Sequence, residues 1–164
     1  MEKIKKHFEK YKILENDLAF QILKTKKYKT EIERLCGPLI EFNIEKDENK
    51  IMFIIIYNDI VIAAFQGYIE DDKIVDTVTC AQQGNKLGEY LRYYALLKTN
   101  EANNSITKLT GAISGGIPAL LERDTKEITI EKQERLKKYD EKRGAIIKEK
   151  TFTYSLNVIN QKTF

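Results

Sequence analysis

The sequence predicts a single α/β domain of the α+β kind, residues 1–164, in which a central, mostly antiparallel mixed sheet is flanked by helices. Three observations carry that expectation. Residues 2–35 place apolar side chains at helical spacing. Residues 39–80 change to short alternating or continuous apolar runs separated by turn residues, the pattern of a meander. Then a β-branched run ends near Cys80, Gly84 and Gly88 follow, and a strong helix pattern begins at once.

The elements can be taken in order. Ile4, Phe8 and Tyr11 recur at helical spacing, as do Leu18, Ile22 and Leu23. Asn16 and Asp17 stand where an N-cap belongs, ahead of "LAFQILKTKK", whose lysines load the last turn. "TEIERLCG" repeats the pattern, with Thr30 as cap, Glu33 completing a capping box, and Gly37 then Pro38 as the stop. "LIEFNIE" (39–45) alternates, "DENK" turns, and "IMFIIIY" (51–57) is a continuous apolar run, as expected of a strand covered on both faces. "ND" at 58–59 signals a tight hairpin into "IVIAAFQGYI" (60–69). "EDDK" turns into "IVDTVTC" (74–80). A helix runs from about Leu87 to Glu101, with Leu87, Leu91, Tyr94 and Ala95 on its buried face. "ITKLTGAIS" (106–114) reads as a strand and "GGIPALLERD" as a short helix with Pro118 in its first turn. "TIEKQERLKKYDEKRG" (129–144) is a charged helix ending at Gly144, and "AIIKEKTFTYSLNVI" (145–159) closes the chain as strand.

Composition narrows the function classes. The chain has 164 residues, 42% hydrophobic and 32% charged, enough to bury a core without staples. No run approaches the ~18 apolar residues that span a bilayer, so no membrane partner is expected. "MEKIKKHFEK" lacks the apolar centre of a signal peptide. Cys36 and Cys80 lie far apart without metal-ligand spacing, and buried free thiols in a reducing cytoplasm are expected. The one histidine, His7, argues against a histidine-rich metal site and against a Ser-His-Asp triad, so no metal is expected. A net charge of +3, from 28 basic and 25 acidic residues, argues against nucleic acid as a partner. The charges are interleaved, and the basic run "KTKKYK" at 24–29 reads as a solvated helix end. The tyrosine-rich "YLRYYALL" reads as a half-buried helix face rather than a stacking platform.

The glycine-bearing turn asks for an explanation. A loop between a strand and a helix N-terminus offers unpaired backbone N–H groups and the positive end of the helix dipole, where phosphates bind well. Gly84 and Gly88 would let the backbone approach an anion closely. The turn is not a Walker A loop, because no Gly-Lys-Ser/Thr is present. Nor is it a Rossmann fingerprint, because the third glycine is missing and the preceding strand belongs to a meander.

Here "QGNKLG", Gln83 to Gly88, resembles the pyrophosphate loop of the GCN5-related N-acetyltransferases, which reads Arg/Gln-x-x-Gly-x-Gly/Ala. The leading Gln, a glycine after it, an apolar fifth position and the closing Gly are present, while Lys86 stands where the family carries a glycine. The resemblance extends over "FIIIYNDIVIAAFQGYIEDDKIVDTVTCAQQGNKLGEYL", and residues 50–115 follow the family's order of hairpin, third strand, fourth strand, loop and helix. It implies an acetyl-CoA-dependent enzyme that transfers an acetyl group to a primary amine of a small molecule or of a protein lysine or N-terminus. It also implies a site. Val78 and Thr79 would lie along the pantetheine arm, and Gln83, Gly84, Asn85, Lys86, Leu87 and Gly88 would cradle the pyrophosphate. "RLKKYDEKRGA" is similar to the family's Leu-Tyr-x-x-x-Gly-Phe-like ending, which makes Tyr139 the candidate acid toward the leaving thiolate. Its spacing is one residue longer, Ala145 replaces the aromatic, and a rival alignment puts "GGIPALLERD" in that place with no tyrosine.

Acetyl transfer from a thioester needs a neutral amine, an N–H for the developing oxyanion, a proton for the leaving thiolate, and both reactants held together. A primary amine is mostly protonated at neutral pH, so a carboxylate or a water chain must take its proton. Asp76, inside "IVDTVTC", is the best-placed carboxylate, with Asp72 and Glu70 next. The backbone N–H near Val78 or Thr79 is the expected oxyanion donor. A non-catalytic relative that keeps the fold as a binding module is the alternative, since the family's asparagine after the fifth strand has no counterpart here. The alternating C-terminal strand could also be an edge that pairs with another copy, giving a homodimer.

Overall fold

The computed structural model describes residues 6, 9–37, 42, 47–84, 86–112, 126–148 and 151–160. Among the described residues, seven strands form one sheet in the order β1-β2-β3-β4-β5-β7-β6. In chain order the elements are β1 (Lys12–Glu15), α1 (Asp17–Leu23), α2 (Lys26–Cys36), β2 (Lys50–Tyr57), β3 (Ile60–Glu70), β4 (Lys73–Ala81), α3 (Leu87–Ala102), β5 (Lys108–Ala112), α4 (Lys126–Lys142), β6 (Ile146–Lys148), β7 (Thr151–Ser155) and α5 (Leu156–Asn160). Every neighbouring pair is antiparallel except β4 and β5, which run parallel. This is the mixed, mostly antiparallel sheet that the sequence predicts.

The continuous apolar run of β2 is explained by its two covered faces. Phe53 and Ile55, with Phe65 of β3 and Ile74 of β4, pack under Leu87, Leu91 and Leu96 of α3. Met52, Ile54 and Ile56 pack on the other face against Phe20 and Leu23 of α1 and Ile32 of α2. Strand alternation thus sends neighbouring isoleucines to opposite cores. Helix α3 is buried on more than one side, Tyr90 and Tyr93 included, while Tyr94 is half-buried, packs edge-on against Phe53 and donates to Glu15 at 2.9 Å. The tyrosine-rich stretch is therefore core and not a stacking platform.

Several local expectations are corrected. Residues 12–15 are not helical but form β1, paired with β2 from Lys12↔Ile56 to Glu15↔Phe53. The exposed hydrogen-bonding edge of β2 outweighs the weak local helical pattern. Asn16 does precede α1, but its side chain makes no cap bond; its Oδ1 instead accepts the Met52 N–H at 3.3 Å. Helix α1 ends at Leu23, so no basic residue lies in its last turn. Thr25, not Thr30, stands at the N-cap of α2; Thr30 is inside the helix and donates to the Lys26 carbonyl at 2.9 Å. The stops at Gly37 and Gly144 stand, both with left-handed φ values of 94° and 91°. The C-terminal segment is not one strand. Lys148 ends β6, β7 returns antiparallel, and α5 follows. The strand expected at 39–45, apart from Phe42, and the short helix expected in 115–124 lie outside the described residues.

The cysteines also depart from expectation. Cys36 at the end of α2 and Cys80 in β4 are both buried and form a disulfide, with their Cα atoms 5.3 Å apart. Pairing α2 against the sheet brings together two thiols that are 44 residues apart in sequence.

Candidate active site

The site is organised by the way β4 leaves β5. Their parallel pairing runs from Lys73↔Lys108 to Asp76↔Gly111. Beyond Asp76, residues 77–81 of β4 pair with β3, and among the described residues no strand pairs with their other edge. The β3–β4 register shifts at the same level, between Gln66↔Val78 and Gly67↔Asp76, so Thr77 is the extra residue of a bulge. The Thr77 hydroxyl donates to the Gln66 carbonyl at 2.8 Å. Thr77 and Val78 then line a cavity of about 530 Å³ with Lys50, Gln66 and Tyr68. It opens on the sheet face that carries α1 and α2, since Val78 packs with that core.

The loop after β4 reaches α3 through two left-handed residues, Gly84 at φ 95° and Lys86 at φ 54°. A Cβ on Gly84 would meet nothing within 4 Å among the described residues, so the loop backbone faces open space there. Lys86 adopts a backbone conformation that glycine takes without penalty, at a cost of about 1–2 kcal/mol for an L-residue. Tyr90 N–H to the Lys86 carbonyl, 3.1 Å, is the bond that starts α3. The N–H groups of Leu87, Gly88 and Glu89 precede it and face the helix end. Leu87 itself is buried and anchors the turn in the core. A Cβ on Gly88 would lie 3.5 Å from Thr79 Cγ2 and 3.6 Å from Ala81 Cβ, so Gly88 is where α3 rests on β4. Gln83 is exposed, and Asn85 lies outside the described residues.

Asp76 does not have the open position that a base toward an incoming amine requires. Its side chain is 5% exposed, and Oδ2 accepts from Arg92 Nε at 2.7 Å and from the Thr79 hydroxyl at 2.8 Å. Asp76 therefore holds Arg92 and Thr79 in place beneath the point where β4 and β5 part. Asp72 pairs with Lys108 at 3.1 Å at the far end of β4, which removes it from the loop.

Tyr139 stands beside the first turn of α3. Its hydroxyl donates to Glu89 Oε2 at 3.0 Å, and the Arg143 guanidinium lies 3.2 Å from its ring centroid. Burial, and then the Glu89 charge and hydrogen bond, push the Tyr139 phenol up to about 12. Glu89 also accepts from Tyr93 at 2.8 Å and from Arg143 Nε at 3.1 Å. Behind this group, the Tyr154 hydroxyl donates to buried Asp140 at 2.7 Å. Burial raises the Asp140 carboxyl above the usual carboxylate range, against the pull of Tyr154 and the two arginines. Sequence reasoning missed Glu89, Arg92, Asp140, Arg143 and Tyr154. The i,i+4 spacings of Glu89 with Tyr93 and of Tyr139 with Arg143 were a signal. The links from Glu89 to α4, across 50 and 54 residues, were not.

Comparison with solved structures gives the fold. The E. coli protein YhhK, whose solution structure holds coenzyme A, superposes with a TM-score of 0.59 at 11% identity, over 89% of this chain and 98% of that one. The PaiA N-acetyltransferase of Thermoplasma acidophilum, in complex with coenzyme A, matches at 0.52 and 8%, over 88% and 99%. The ribosomal-protein-S18-alanine N-acetyltransferase of Escherichia coli matches at 0.53 and 9%, over 88% and 94%. The chain has the fold of the GCN5-related N-acetyltransferases. No protein-family model matches the sequence, and the comparison with curated protein sequences finds no match either.

Proposed function

We propose that the protein is an acetyl-CoA-dependent N-acetyltransferase acting on a primary amine. The observation that carries this reading is the β4 edge, unpaired among the described residues, leading directly into the Gly84–Lys86 turn and the N-terminus of α3. The residues suit the co-substrate. The space beside Gly84 admits a bulky anion, the N–H groups of Leu87, Gly88 and Glu89 and the Lys86 ammonium favour negative charge, and exposed Gln83 precedes the turn. The β4 edge at Val78 and Thr79 can pair with an amide-bearing arm as a further strand would.

When bound, acetyl-CoA supplies a thioester whose acetyl group passes to the amine. A backbone N–H at Val78 or Thr79 stabilises the charge that builds on the carbonyl oxygen. Tyr139 gives its proton to the departing sulfur. The enclosed Asp76 keeps Thr79 and Arg92 fixed, and the amine loses its proton to water. The cavity on the far side of the bulge, beside Thr77 and Val78, supports approach of the acceptor from the α1/α2 face.

Titration of acetyl-CoA and CoA into the purified protein by calorimetry tests this reading, with Gly88→Trp as control. Micromolar binding that the variant loses is the expected result. A folded wild type that binds neither favours the alternative, a non-catalytic module of the same fold. The lack of a counterpart to the family's asparagine after the fifth strand is the observation on that side.

A further inference from the structure

Glu89 is placed where an anion-binding helix end should not tolerate it. It lies in the first turn of α3, beside the N–H groups that would receive a pyrophosphate. A bare carboxylate there would repel the same anion that the helix dipole attracts. The structure resolves the conflict. The Glu89 side chain is 11% exposed and turned toward α4, where Arg143 Nε meets it at 3.1 Å. Its Oε1 accepts from Tyr93, and its Oε2 is shared by Arg143 and Tyr139. Arg143 closes the group a second time, since it donates to the Tyr139 carbonyl at 3.2 Å and covers the Tyr139 ring. Asp140, from α4, is the other charge near the phenol, and Tyr93 and Tyr154 stand behind it in edge-to-face contact, 5.4 Å between centroids.

We infer that Glu89 is the positioning residue of this site: it fixes the Tyr139 phenol beside the N-terminus of α3, while Arg143 cancels its charge and leaves that helix end free for the co-substrate. The inference rests on the acetyltransferase reading and adds a division of labour to it. Glu89 acts on the chemical step through Tyr139. Arg143 acts on affinity as well, because without it an uncompensated carboxylate faces the pyrophosphate. A carboxylate needed only to hold α4 against α3 would show no such split.

The test uses the whole protein with ¹³Cζ-labelled tyrosine, and variants Glu89→Gln, Arg143→Met, Tyr139→Phe and the double variant Glu89→Gln/Tyr139→Phe. The Tyr139 resonance is the one absent from Tyr139→Phe. For Glu89→Gln the titration midpoint of that resonance is expected to fall by about one pH unit, because a charge and a charged hydrogen bond disappear. Its acetyl-CoA affinity should stay within about twofold, and kcat should fall about tenfold, the signature of an interaction used in the transition state. Arg143→Met should weaken acetyl-CoA binding about tenfold or more, as expected for an unpaired charge beside an anion site. The double variant should be no slower than Tyr139→Phe alone, since residues acting as a unit are not additive. An active wild type in which the two effects multiply, or in which the Tyr139 midpoint does not move in Glu89→Gln, overturns the role of Glu89. A wild type that neither binds acetyl-CoA nor transfers acetyl overturns the acetyltransferase reading, and the positioning role with it.

Discussion

The two faces of the sheet are built on different principles. On the α1/α2 face the core is almost wholly apolar: Met52, Ile54, Ala64, Phe20 and Ile32 close around the Cys36–Cys80 bond. On the α3 face the same strands carry an equally apolar centre at Phe53, Phe65 and Leu91, but its flank toward β5 and β7 holds Asp76, Arg92, Asp140, Tyr93 and Tyr154. Burying charge costs free energy unless every group finds its partner. Among the described residues, that cost is concentrated on the face against which the loop and Tyr139 lie. The first face holds the sheet together, and the second uses that rigidity to keep polar groups in place.

The contrast can be broken from either side. The largest effect should come from the first face. Replacing Cys36 and Cys80 together by Ala removes a crosslink that closes 44 residues of chain and should cost about 4 kcal/mol, read as a lower urea midpoint. The matching change on the second face is Arg92→Met, which strands a buried Asp76 carboxylate and should cost about 3 kcal/mol. Adding Asp76→Leu should restore most of that loss, whereas no partner change rescues the cysteines. Gly67→Ala attacks the bulge between the faces. Its Cβ would meet the Val75 carbonyl oxygen at 2.5 Å, and a loss of about 2 kcal/mol is expected from the forced shift of β4. The smallest effect should be at Gly84→Ala, about 1 kcal/mol from a φ of 95°, with no steric neighbour to add to it. A Gly84→Ala protein that melts almost normally yet binds acetyl-CoA far more weakly would separate the loop's function from its contribution to stability.

The parts legible in the sequence are those whose cause is local. The β-branched runs at 51–57 and 60–69, the Asn58–Asp59 turn and the strand–loop–helix order around Gly84 all appear where the pattern puts them. What was missed depends on distant partners. Lys12–Glu15 becomes a strand because β2 offers an edge, and the cysteines bond because α2 lies on β4. At the candidate site, residue types led to the loop and Tyr139 as expectations, but not to Asp76's enclosure. That follows from Arg92, which lies on the next helix and reaches back to the strand. The Glu89 group is harder still, since it is assembled from the start of one helix and the end of another.

The register of the sheet has a consequence for how the chain reaches this state. The first hairpins close locally, at Tyr57↔Ile60 and Glu70↔Lys73, so β2, β3 and β4 can form as soon as residue 81 has left the ribosome. Strand β5 can then join β4 in parallel, but its other edge waits for β7, through Ala112↔Thr151 and Lys108↔Ser155, with all of α4 between them. Closing so long a loop is slow. Half of the molecule is therefore complete while the polar flank still lacks Tyr154. During that interval the outer edge of β5 is bare, and an interrupted chain would present it as a template for other strands.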